Sequence, residues 1–259
     1  MRDARRDSRR GIDPRRVGAA ALALYCMSLA THAQVSGSVG ALSDYRYRGY
    51  SLSEGDPALQ ASVAYDAANG AYAGLFGSSV RNEDGSGAQF IPYVGYAKRD
   101  AKGRSWDVGV RWSTFTQDDA FDYAEVHVGL ALRRVALRLH YAPDYFGQVA
   151  NWYAEADGHV PLGERVRATW HVGYANSDAR ARYVYVYDPT PYDEHNGYYT
   201  LERADPTRID LRLGVAIPTR ACDVQLAWTH VDGGETYTYE VPWEANDRTG
   251  WVLGCVKRW

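Results

Sequence analysis

"RIDLRLGVAI", Arg208–Ile217, alternates through ten residues: Ile209, Leu211, Leu213, Val215 and Ile217 fall on one side, Arg208, Asp210, Arg212 and Gly214 on the other. Alternation of this kind is strand periodicity, because successive side chains of a strand point to opposite faces. In a water-soluble sheet the apolar face packs inward and the charged face meets water. Which face is inside depends on what surrounds the strand, and the rest of the chain decides that.

The same split recurs along the sequence. Ala124, Val126, Val128, Leu130 and Leu132 oppose Tyr123, Glu125, His127 and Gly129. Val135, Leu137, Leu139 and Tyr141 oppose Arg138 and His140, and Val166, Trp170, Val172 and Tyr174 oppose Arg167, Thr169 and His171. Helical periodicity is absent, and the pattern predicts twelve strands, at 35–48, 58–66, 71–81, 88–98, 104–115, 121–132, 135–145, 151–160, 165–175, 207–217, 222–231 and 249–259. Most are longer than the five or six residues usual in a globular sheet, and match the roughly 9–11 that a tilted strand needs to cross a bilayer.

Connection lengths sort by parity. Even-numbered strands are followed by "AANG" (67–70), "RDAKG" (99–103), "RR" (133–134), "PLGE" (161–164) and "PTRA" (218–221), whereas odd-numbered strands precede longer stretches such as 176–206 and 232–248. A sandwich has no reason to sort its loops in this way; an outer-membrane barrel does, with turns on the periplasmic side and loops outside. An even strand count also returns both termini to the periplasm. No run of 18 apolar residues occurs and mean hydropathy is −0.45, so helical membrane spans are excluded.

The N-terminus fits export. Seven arginines between Arg2 and Arg16 precede the uncharged run "VGAAALALYCMSLA", Val17–Ala30, with small residues following. That pattern reads as a signal peptide over residues 1–33, leaving a barrel domain at 34–259. The first 33 residues hold seven of the 29 basic and three of the 32 acidic residues, which leaves 22 against 29 and a net charge of −7. A nucleic-acid binder would carry a basic stripe instead. The C-terminal "WVLGCVKRW" alternates and stops on an aromatic residue, the kind of strand that barrel-assembly machinery reads; Lys257 falls on its apolar face, where an interfacial position lets it snorkel.

With oil outside, the expected fold is an all-β, antiparallel transmembrane barrel of twelve strands in the outer membrane, its apolar faces toward lipid and its charges toward a wet lumen. The first strand and loop, "SGSVGALSDYRYRGYSLSEGDPALQASVAYDAANGAYAGLFGSS", carry a Ser-Asp-Tyr-Arg-aromatic-Arg-Gly segment at Ser43–Gly49, then Pro57, Ala58, Leu59, Gln60, and the hairpin residues Gly70, Tyr72 and Gly74. This segment resembles the N-terminal signature of the TorF-type porins of Gram-negative bacteria over about fifty residues. The resemblance implies an outer-membrane channel and supplies neither catalytic residues nor a solute. On this reading Tyr45 and Tyr47 face lipid, while Asp44, Arg46 and Arg48 enter the lumen, and Pro57 stands where the second strand begins.

Lumen-lining candidates are therefore Asp44, Arg46, Arg48, Glu125, His127, Arg138, His140, Glu155, Asp157, Arg167, His171, Asp210 and Arg212. A two-residue turn at Arg133–Arg134 places His127 opposite His140. If Glu155 then lies beside His140 and His171 beside Glu155, a His–His–Glu–His row results. Such a row could bind a divalent metal, but a polar network filling a narrow lumen is favoured, and no metal or cofactor is expected. Acidic and basic rows across a narrow channel could also orient a solute, or simply neutralise each other.

A lipid hydrolase is disfavoured: His230 is the one histidine on an apolar face, and no serine shares its strand. Cys222 and Cys255 lie on neighbouring strands and could form a disulfide or remain as two thiols. The tyrosine-rich stretch 183–206 is expected to form an external ribbon. The favoured function is a narrow passive channel for small hydrophilic solutes, with membrane lipid and the assembly machinery as partners. The alternative is a barrel without an open pore that acts structurally, or through its long loops.

Overall fold

The computed structural model describes residues 34–82, 85–178, 182–187, 197–202, 206–233 and 249–259. The expected signal peptide at 1–33 lies outside the described residues, as does most of the connection expected at 232–248. The strands are β1 (Gln34–Leu42), β2 (Arg46–Tyr47), β3 (Tyr50–Ser51), β4 (Ala58–Asp66), β5 (Ala71–Asn82), β6 (Gly85–Arg99), β7 (Ser105–Phe115) and β8 (Tyr123–Ala131). They continue with β9 (Val135–Tyr145), β10 (Val149–Pro161), β11 (Arg167–Ser177), β12 (Arg182–Tyr187), β13 (Gly197–Glu202), β14 (Thr207–Pro218), β15 (Asp223–Gly233) and β16 (Thr249–Arg258). A single 3-10 turn, Asp119–Phe121, is the one helical element among the described residues.

Twelve of the strands close into one antiparallel barrel in the order β1-β16-β15-β14-β11-β10-β9-β8-β7-β6-β5-β4. The seam pairs Ser38 with Arg258 and Leu42 with Gly254, which brings the starts of β1 and the end of β16 to one end of the barrel. The turns that follow β4, β6, β8, β10 and β14 gather at that same end. In the β6–β7 turn, Gly103 takes φ +80, and Asp100 accepts N–H groups from Lys102 and Arg104 at 2.9 Å and Arg104 Nε at 2.7 Å. Those donors hold the Asp100 carboxyl below its ordinary pKa. What the turn gains from the charge is thus complete above that ordinary value and is lost as pH falls through the lowered one.

Burial fixes which face is inside. On β8, Val126 and Val128 are 50% and 54% exposed, while Glu125 and His127 are 2% and 9% exposed. The wall turns its aliphatic residues outward and its charges inward, which is the transmembrane orientation. β12 and β13 pair as a separate antiparallel ribbon, Arg182 with Glu202 through Tyr187 with Gly197, in agreement with the ribbon expected over 183–206. Cys222 and Cys255 are joined by a disulfide with Cα atoms 5.6 Å apart. Lys257 Nζ donates to the Arg220 carbonyl at 3.2 Å, so its charge sits at the turn end of the wall.

One strand differs from the sequence expectation in a way that matters. The first was expected to run to residue 48, but β1 stops at Leu42 and the chain leaves the wall. Ser43 makes the last wall contacts: its N–H donates to the Leu253 carbonyl at 2.8 Å, and its Oγ accepts the Leu253 N–H at 2.9 Å. Asp44 then gathers Arg46 Nε at 2.6 Å, Ser51 Oγ at 2.5 Å and Ser53 Oγ at 3.2 Å. These bonds fold residues 44–53 onto themselves. Arg48 and Gly49 take φ 50 and 89, the left-handed pair of a two-residue hairpin turn, with Tyr47 paired to Tyr50. Alternation alone cannot distinguish such a hairpin from a continuing strand.

Leu139 lies on the outward face near the middle of β9. Leu139→Arg should lower the folding free energy in lipid vesicles by about 2–4 kcal/mol in a denaturant titration. The substitution Thr169→Arg, on a face that lines the lumen cavity, should cost much less in the same titration.

Candidate functional site

The hairpin β2–β3 lies inside the barrel. Arg48 Nη2 donates to Glu125 Oε1 on β8 at 2.9 Å, and its guanidinium stacks 4.2 Å over the Tyr153 ring on β10. Tyr45 Oη donates to Gln89 Oε1 on β6 at 2.9 Å. Arg208 of β14 stacks 4.1 Å over the Tyr50 ring. A Cβ on Gly49 would come 2.7 Å from a Val231 methyl of β15, so only glycine fits. A segment that reaches β6, β8, β10, β14 and β15 at once can do so only from within the lumen.

Tyr45 and Tyr47 were expected to face lipid; they do not. Tyr45 is buried in an aromatic cluster with Tyr50, Leu52, Phe115, Phe121, Tyr123, Tyr145 and Phe146, against which Tyr47 packs. Tyr47 Oη accepts from Arg111 Nη2 at 2.8 Å and from Tyr123 Oη at 3.1 Å. The physical reason is the turn at Asp44: once the chain leaves the wall, both faces of the hairpin meet protein. Phe121 and Phe146 come from the β7–β8 and β9–β10 loops at the same end, so three loops together cap the lumen.

Beneath this cap sits a charged layer. Glu125 receives Arg48 and, closer still, Arg111 Nη2, with His140 Nδ1 at 3.0 Å. His140 Nε2 lies 3.0 Å from Glu155 Oε1, and Arg138 Nη1 approaches the same carboxylate at 4.0 Å. His127 faces His140 as the two-residue turn requires, and its Nε2 meets Asp107 at 2.9 Å and Tyr72 Oη at 3.2 Å. His171 Nδ1 meets Asp157 at 2.9 Å, and its Nε2 meets Asp210 and Tyr153 Oη, each at 3.0 Å.

The expected histidine row is therefore displaced. Glu155 pairs in register with Arg138 and Gly173, and His171 with Asp157 and Arg212, two residues away from the assumed alignments. A shift of two preserves the face, so every member still lines the lumen. It also divides the row into two clusters with Tyr153 between them. Glu155, Asp157 and His171 offer ligand atoms all within 4.8 Å of one another. Both nitrogens of His171 already meet carboxylates, and a metal needs one of those lone pairs. The arrangement is a network of ion pairs and hydrogen bonds in which both His171 nitrogens are engaged.

The remaining candidates lie nearer the turn end. Asp44 and Arg46 pair with each other, Arg212 Nη2 reaches Asp157 at 3.4 Å, and Arg167 Nη2 reaches Asp223 Oδ2 at 3.0 Å. They line a cavity of about 830 Å³, and a smaller one of about 170 Å³ continues it toward the hairpin. Outside the barrel, His230 Nδ1 bonds Thr249 Oγ1 at 2.8 Å and its ring stacks on Trp228. Sequence reasoning missed Asp107 and Arg111, although Trp106, Val108, Val110 and Trp112 mark the outward face of β7 and place both inside. Tyr153 was missed as well, although alternation puts it on the same face of β10 as Glu155 and Asp157.

Removing Glu125 strands two buried guanidiniums without their counter-charge. Glu125→Ala should cost about 3–5 kcal/mol of stability. In vesicles it should let trypsin cut after Arg46 or Arg48, sites that stay intact in the wild-type barrel.

Several solved structures align with most of the chain at low identity. A protein from a study of in-meso crystallization aligns with a TM-score of 0.49 at 8% identity, covering 87% of this chain and 83% of that one. The NanC porin aligns at 0.43 and 13% identity, covering 86% and 98%. LpxR from Salmonella typhimurium aligns at 0.45 and 8% identity, covering 86% and 99%. No residue role carries over from any of them. No curated protein matches the chain in sequence. Residues 28–254 match Gcw_chp, and the chain belongs to that family of bacterial proteins of unknown function.

Proposed function

We propose that this protein is an outer-membrane barrel, with its turns and termini in the periplasm, whose channel is closed at rest by its first loop. The observation that carries the reading is the burial of lumen-facing polar side chains. Gln89 and Ser113 are 0% exposed, Asn151 and Tyr153 1%, and Glu125 2%. In an open pore, side chains on this face would be wet. Here the hairpin and its aromatic neighbours occupy the space at that level.

The wider, polar part of the lumen supports a channel rather than a solid wall. A barrel with a purely structural role could fill its whole interior, as small barrels do. This one is filled at the loop end and keeps about 830 Å³ free at the other. Small hydrophilic solutes would pass when β2–β3 withdraws. The likeness of Ser43–Gly49 to the TorF-type signature supports the same assignment, and in this chain that signature segment is the plug itself. The reading includes no catalytic step and no cofactor.

In planar bilayers the wild-type barrel should give no sustained current steps. Replacing residues 45–52 with a short Gly-Ser linker should produce them. Equal steady conductance from the two proteins would overturn the closed-channel reading.

A further inference from the structure

The lumen changes character along its axis. Around the hairpin, four arginines (Arg48, Arg111, Arg138, Arg208) share the space with four carboxylates (Asp107, Glu125, Glu155, Asp210). That layer is balanced. The chamber below it is not: Arg46, Arg133, Arg134, Arg167, Arg212 and Arg258 line it, against Asp44, Asp157 and Asp223.

The three carboxylates are already committed. Asp44 is held by Arg46 and two serine hydroxyls. One oxygen of Asp223 serves both Arg167 at 3.0 Å and Arg258 at 2.8 Å. Asp157 takes His171 at 2.9 Å and Arg212 at 3.4 Å, and the Arg212 side chain remains 50% exposed to the chamber. Arg133 and Arg134 add two charges at the rim, in the turn between β8 and β9. A chain whose residues from Gln34 onward carry a net charge of −7 thus concentrates an excess of three positive charges in one concavity.

We propose that this chamber is a binding site for a small multivalent oxyanion, one bearing phosphate or carboxylate groups. Guanidinium forks match both oxyanions bidentately, and low-dielectric walls around a single mouth focus the positive potential. A volume of about 830 Å³ lies within the range of small-molecule sites. Because the hairpin closes the far end, the anion enters and leaves by the turn-end mouth, so that a ligand is held there while the plug stays in place. The inference rests on the plugged-lumen reading only for that closed end; the charge excess stands without it.

The test is calorimetric titration of the detergent-folded wild-type barrel with tripolyphosphate and, separately, with citrate. Binding of one or both is expected. Tripolyphosphate alone would assign the site to phosphate-bearing ligands, and citrate alone to polycarboxylates. The double variant R133Q/R134Q, in an exposed turn, should weaken binding about tenfold, and R212Q should do the same within the chamber. Arg104→Gln, at the same end but in the β6–β7 turn outside the chamber, should change nothing. Heat-dependent gel migration verifies that each variant is folded. Absence of binding by the folded wild type, or binding that R133Q/R134Q and R212Q leave untouched, would overturn the proposal. The titration needs no current, so a conducting barrel that binds polyanion sinks only the closed channel. A silent barrel that binds none sinks only this site.

Discussion

A barrel wall with oil on its outside has one place to put charge. Within the lipid-covered span Arg, Asp and Glu must point inward, and those inward charges must then find partners in a space about one side chain deep. Here they find them in a chain of contacts that runs from Asp107 through His127, His140 and Glu125 to Arg48. The last member does not belong to the wall. Arg48 arrives on a hairpin that leaves the seam at Ser43, so the electrostatic completion of the lumen and its obstruction are one event. Without that guanidinium, Glu125 would still face Arg111 and His140; with it, the first loop is registered against strands on both sides of the barrel.

The architecture was legible because its signals are redundant. Ten or more alternating residues, parity-sorted connections and a C-terminal aromatic strand each point to the same barrel, and a one-residue slip in β8, β9 or β14 would put charges into lipid. Face assignment was equally legible: each lumen candidate from Glu125 to Arg212 lies where alternation placed it. Register was not. Across β9, β10 and β11 the alternative pairings differ by two residues, which changes no face and therefore leaves no trace in the hydrophobic pattern. The bulge between Val149 and Asn151 sets the actual alignment of β10 on β9, and nothing in the side chains announces it.

The first loop escaped prediction for a related reason. "SDYRYRG" has strand alternation, and a buried hairpin is also a strand pair, so the pattern is the same in the wall and in the lumen. What differs is outside the pattern: a serine that ends the ladder with its own hydroxyl, and an aspartate ringed by Ser51 and Ser53. The Arg-Gly pair that follows takes left-handed backbone at both positions. Each residue is compatible with a strand end. Only their joint effect, seen against a closed barrel, turns the chain inward.

The plug has two layers, and they do different work. The ionic layer of Arg48, Glu125 and Arg111 loses little overall if the hairpin withdraws, because water entering the lumen can hydrate each group that the protein releases. The aromatic layer of Tyr45, Tyr50, Leu52, Phe121 and Phe146 has no such compensation; each large side chain returned to water costs about 1.5–3 kcal/mol. Apolar burial therefore supplies the free energy that holds the loop in, while the ion pairs fix where it sits, since a hairpin displaced by one residue would leave Glu125 opposite an aromatic ring. A loop held this way would resist salt, which screens only the layer that contributes least. It yields to whatever competes for the aromatic layer at the loop end.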